Sequence, residues 1–187
     1  NVFDRGNEFR WFDIKTLRYQ SERIRNIDFD SSAYDVYLID DISRQWSPYM
    51  TLPDINGRYI VRTQQGFDHD FESEYVPVHF KLPFEQSMIN GNVYLFGGMT
   101  DWQFNKDFQM IYNNTSKAYE ASILLKQGYY NYNYAFLKDN AESGDLTFFE
   151  GNHFETENDY SIYVYYRDIT GNYDRLVGAH HFNSRRN

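Results

Sequence analysis

The chain has 187 residues and a formal net charge of −9, with 18 Tyr, 16 Phe and 3 Trp making one residue in five aromatic and no cysteine anywhere. A chain of this length suits one ordinary domain or two small ones and buries roughly 70% of its unfolded surface, leaving about 9,500 Å² exposed. Disulfides, thiolate metal sites and a cysteine nucleophile are excluded. So are intrinsic disorder, which is poor in aromatics, and a transmembrane helix, since no run of 18 apolar residues occurs. The acidic balance disfavours nucleic acid and anionic membrane surfaces as partners.

In chain order, the best helical candidate is Ser21 to Ile27, and it is short. Strand patterns dominate the rest. Tyr34 to Ile39 is one, and Gly57 to Arg62 is another, entered through the turn Asp54-Ile55-Asn56-Gly57. Tyr75 to Leu82 alternates, with Pro77 pointing to an edge strand or a bulge. Val93 to Phe96 is continuously apolar, as in a strand covered on both faces. Gln109 to Tyr112 and Tyr119 to Leu125 follow, separated by Asn113-Asn114. Gly128 opens Tyr129 to Phe136. There Tyr130, Tyr132, Tyr134 and Phe136 share one face, and Tyr129, Asn131, Asn133 and Ala135 the other. Asp159 to Arg167 alternates similarly, with Ile162, Val164 and Tyr166 opposite Tyr163 and Tyr165, and Arg175 to Phe182 closes the series.

This pattern reads as an all-β protein built of antiparallel immunoglobulin-like β-sandwiches. Two packed β domains are expected, residues 1–84 and 91–187, with the boundary near 83–91. The chain opens on Asn1 without a leader and closes on polar residues. It therefore reads as a piece of a longer polypeptide.

No catalytic motif stands out. His69, His79, His153, His180 and His181 are scattered, and the neighbours His180 and His181 point to opposite faces of a strand. Asp68, Asp70, Glu72 and Glu74 would share one face if extended, but they lack the turn glycines of a calcium loop, and a solvated edge explains them better. No Gly-x-Ser-x-Gly elbow or phosphate-binding glycine loop occurs. A non-enzymatic protein with no metal and no cofactor is expected.

Two resemblances sharpen this. Val93 to Trp102, Met110 and Leu125-Lys126-Gln127-Gly128-Tyr129-Tyr130-Asn131-Tyr132 resemble the early-set sandwich of glycogen- and starch-binding modules, over roughly residues 92–137. That resemblance implies candidate glycan or partner contacts at Trp102, Tyr129, Asn131 and Asn133. Asn133 stands where sugar-binding members carry a Lys, and no Trp follows Trp102. The implied platform is thus incomplete.

Asp54-Ile55-Asn56-Gly57, Glu74 to Phe80, the tyrosine strand, Glu150 to Asn158, Tyr163 to Arg167 and Tyr173 to Gly178 together resemble the first domain of the Bacteroidota type IX secretion system plug protein. This second resemblance spans nearly the whole chain. It implies a periplasmic, outer-membrane-associated protein whose parent carries a signal peptide. Its partner would be the large outer-membrane translocon, whose periplasmic mouth it closes without entering the membrane itself. Asp54, Asn56, Gly57, Gly151, Asn152 and Asn158 mark this family and suit structural turns.

Overall fold

The computed structural model describes residues 4–30, 32–64, 69–168 and 171–185. Among these the chain is nearly all β. The elements run β1 (Arg10–Asp13), β2 (Ile24–Asp30), β3 (Ala33–Leu38), β4 (Tyr59–Val61), the single-turn helix α1 (His69–Glu72), β5 (Tyr75–Pro83), β6 (Gly91–Phe96), β7 (Gln109–Asn113), β8 (Ala118–Lys126), β9 (Gly128–Lys138), a second single-turn helix α2 (Thr147–Glu150), β10 (Asp159–Arg167) and β11 (Asp174–Asn183).

Nine strands form one sheet in the order β1-β9-β6-β7-β8-β5-β3-β2, with β4 also on β9, and β10 and β11 make a separate hairpin. The organising strand is β9. Its first half pairs with β1 (Phe12 opposite Tyr130) and with β4 (Tyr59 opposite Tyr130), and its second half with β6 (Val93 opposite Phe136). Alternation puts Tyr130, Tyr132, Tyr134 and Phe136 inward, and all four are buried.

The large sheet curls until its β1–β9 end meets β5 face to face. The Phe12 ring centroid lies 5.5 Å from Phe80, 5.1 Å from Tyr130 and 5.7 Å from Tyr132. Nearly closing the sheet in this way lets one face of each strand fill a common core with Ile24, Val36, Val78, Leu82, Leu95 and Met110.

Ser21 to Ile27, the best of the weak helical candidates and too short to count as a helix, contains the start of a strand: Ile24 begins β2, which pairs with β3 over Ile24–Asp30. The spacing of Ile24 and Ile27 fits a helical turn, but the non-local ladder with β3 satisfies the backbone. Two expectations change. The pairing is not wholly antiparallel, because β3 and β5 run parallel at Val36–Val78 and Tyr37–His79. The connection through residues 39–74 is long enough to reverse the chain before it rejoins the sheet. Finally, the expected boundary at 83–91 falls between two strands of one sheet. β1 and β4 from the first half complete β9, and β5 pairs with β8 over Tyr75–Pro83. The two halves therefore share one sheet, with β1, β4 and β5 of the first hydrogen-bonded to β9 and β8 of the second.

Candidate functional site

The segment after β3 leaves the sheet and crosses the β1–β9 end without regular structure. Pro48 and Pro53 lie within it, each lacking the N–H a ladder requires. Its start is tied down where Asp41 N donates to Lys81 O at 2.8 Å. Between this crossing and the sheet lies a groove of about 790 Å³, walled by Trp11, Tyr129, Ile42, Met50, Leu52 and Pro53.

Beneath the groove is a buried ionic network. Arg10 projects inward from β1 in step with Phe12 and Ile14, all three buried. Its Nε donates to both Glu150 oxygens at 2.9 and 3.1 Å, its Nη1 to Asp41 at 2.9 Å and its Nη2 to the Ile42 carbonyl. Arg44 donates to the far oxygen of Glu150 at 2.7 Å, and Tyr134 N donates to the near one at 2.9 Å. Asp41 further accepts from Arg23 at 2.7 Å and from the hydroxyls of Tyr132 and Tyr134 at 2.5 and 2.7 Å.

The electrostatics follow from this arrangement. Burial alone would raise the Glu150 carboxyl, but Arg10 and Arg44 beside it hold it below the usual carboxylate value. Burial works against the Arg10 charge, and Glu150 with Asp41 more than reverses that, raising its pKa. Tyr132 and Tyr134 are pushed well up by burial and then by the Asp41 carboxylate, so both stay protonated donors. Every charge in the network has a partner, and the network underlies the groove floor. Arg10 lies on a strand too short to read from the sequence, so nothing local marked it. Glu150 carried no local signal, because its charged partners Arg10 and Arg44 lie 140 and 106 residues away.

The implied glycan contacts do not form a platform. Asn131 and Asn133 are buried. Asn131 accepts from Ile55 N at 2.6 Å and donates to Arg10 O, and Asn133 accepts from Arg44. Asn131 thus satisfies backbone groups and Asn133 a guanidinium, within the protein. Tyr129 reaches the groove, stacked on Trp11 at 5.8 Å with Lys15 over its ring. Its hydroxyl pKa is raised, chiefly by burial. Trp102 lies elsewhere, 48% exposed in a left-handed turn and edge-on to Phe9 and Phe96.

The family-marking residues sit in turns and ties. Asp54 accepts from Phe9 N at 2.7 Å and from Asn56 N at 2.8 Å. Asn152 accepts from Arg5 N and Gly6 N, Asn158 donates to Arg5 O, and Gly151 has a φ of 81°. Asn56 donates to Asp159 at the foot of the β10–β11 hairpin. Gly57 has a φ of 74°, and a Cβ there would lie 2.5 Å from the Trp102 ring and 2.6 Å from Phe9. Gly57→Ala should therefore cost about 2–3 kcal/mol in urea denaturation, from backbone strain and overpacking combined. Trp102 emission should shift as its ring is displaced.

The acidic string lies partly outside the described residues, at Asp68. The part that follows begins with the helical turn α1, so the even spacing does not line up one extended face there. Among the described residues no cluster of three potential metal ligands occurs.

No family model matches the chain, and no curated protein matches it. Among solved structures, a hypothetical protein from Parabacteroides merdae ATCC 43184 superposes with a TM-score of 0.91 at 37% identity, over 95% of this chain and 45% of that one. The chain spans less than half the length of that protein.

Proposed function

We propose that this chain is a non-enzymatic protein-contact module, the first, immunoglobulin-like domain of a type IX secretion plug, acting in the periplasm at the mouth of the outer-membrane translocon. The observation that carries the reading is the groove beside Trp11 and Tyr129. It pairs a stacked aromatic wall with exposed apolar side chains at Ile42 and Met50, on a floor locked by the Arg10–Glu150–Asp41 network. Rigid aromatic walls supply contact area at little cost in side-chain entropy, which suits a protein interface better than a reaction.

The test is affinity capture with the full-length protein from outer-membrane extract. A very large outer-membrane protein should be recovered, and Trp11→Ala should weaken recovery about tenfold or more, the usual effect of truncating an interface anchor. Failure to recover such a protein, together with unchanged secretion in a deletion strain, would falsify the reading. The glycan alternative is left with Trp102 and Tyr129, which lie in separate places, since Asn131 and Asn133 are enclosed.

A further inference from the structure

The β10–β11 hairpin stands apart from the core. Among the described residues its strands pair only with each other, and nearly all of their residues are exposed. In the observed register Tyr160, Ile162, Val164 and Tyr166 lie on one face with His180 and Phe182. Ile162 is 50%, Val164 52%, Tyr166 51% and Phe182 43% exposed. The opposite face carries Tyr163, Tyr165 and Leu176, also half or more exposed, beside the Arg167–Asp174 ion pair and the Ser161–His181 contact, so the aliphatic side chains Ile162 and Val164 are what set the first face apart.

Such a ribbon is marginal in water without something to pack on, and an open apolar strand pair invites misassociation. Yet this one is held at a fixed place. At its foot Asn183 donates to Asp159 and Glu157 at 2.8 Å each, Asn56 donates to Asp159 at 2.9 Å, and Ser184 N donates to Asn158 O at 2.8 Å.

We propose that the apolar face of this hairpin is the docking surface for a further domain of the same polypeptide, the counterpart of the part of the Parabacteroides chain that lies outside the match. Three observations select that occupant. The match covers 95% of this chain, leaving about nine residues, fewer than β10 and β11 contain, so it takes in much of the hairpin. More than half of the Parabacteroides chain lies beyond it. And the chain exposes 12,379 Å², well above the about 9,500 Å² of a compact monomer this size, and an ordinary inter-domain contact of about 600–1,500 Å² would take up roughly a fifth to a half of the excess. The inference is independent of the secretion reading, because hairpin docking constrains how the polypeptide is built and not what it binds.

The test uses the complete gene product, with Val164→Cys on the apolar face and Asn114→Cys in the exposed β7–β8 turn as reference, each reacted with a maleimide and read site by site by mass spectrometry. Docking predicts labelling of position 164 at least about tenfold slower than at position 114, at every protein concentration. Hydrogen exchange on the unmodified protein should show matching protection across Ile162–Tyr166. Equal labelling rates overturn the proposal. So does protection that grows with protein concentration, which indicates a second copy, or protection that appears only with an added envelope partner. A gene product with no further domain overturns it outright.

Discussion

Glu150→Gln should destabilise the protein by about 3–5 kcal/mol, the range measured when one member of a buried ion pair is removed. The side chain is fully buried and answers two guanidinium groups at once, Arg10 through a two-oxygen contact and Arg44 through the second oxygen. The amide keeps the shape but removes the charge, so Arg10 and Arg44 are left short of countercharge in a low-dielectric site. At 187 residues this should lower the thermal midpoint by roughly 10 °C.

The pH dependence has a definite sign. The native carboxyl is held below its usual 4.5, so above that value it is ionised in folded and unfolded chains alike and its stabilisation is complete. As pH falls from 4.5 through the lowered native value, the unfolded chain takes up a proton the native state refuses, and the stabilisation drains away. The gap between wild type and Glu150→Gln should accordingly be constant at neutral pH and shrink below 4.5. A loss under 1 kcal/mol at pH 7, or a gap that widens in acid, would show that Glu150 is not the countercharge assigned to it.

The parts of the fold that were legible in the sequence are those whose pattern is local. β9 reads directly from Gly128 followed by alternating tyrosines, because its inward face is filled along a single strand. β6 reads from an unbroken apolar run and is buried on both sides at Val93, Tyr94 and Leu95. β2 was not legible, because its few apolar residues fit a helical turn equally well and only the ladder to β3 decides. The same holds for the site. Tyr129 was within reach of sequence because it shares a strand with the core tyrosines. Its partner Trp11 was not, because four residues of β1 give too short a pattern to recognise. Asn131 and Asn133 look like open amides in a strand, and become buried only because Ile55 and Arg44, 76 and 89 residues away, close over them.

The second large effect lies on that same short strand. Phe12→Ala should cost about 3–5 kcal/mol, as large-to-small changes in well-packed cores do. Phe12 has no exposed surface, and its ring meets Phe80 edge-on, Tyr130 in a stack and Tyr132 edge-on. Those three rings belong to β5 and β9, which lie far apart in strand order, so Phe12 packs across the closure of the sheet as well as within it. Removing the ring leaves a cavity that neither partner can fill without moving the β1–β9 end and, with it, Trp11 and the groove wall. Two consequences separate this from a generic core defect. Hydrogen exchange should rise first in β1 and the first half of β9, with β7 and β8 little changed. Phe12→Leu, which keeps most of the volume, should cost less than about 1.5 kcal/mol and restore exchange near wild-type levels. Phe29→Ala, at a phenylalanine 60% exposed on β2, should stay within about 0.5 kcal/mol of wild type. If Phe12→Ala costs no more than Phe29→Ala in urea denaturation, the sheet is not closed through Phe12, and the rigidity assigned to the groove wall loses its source.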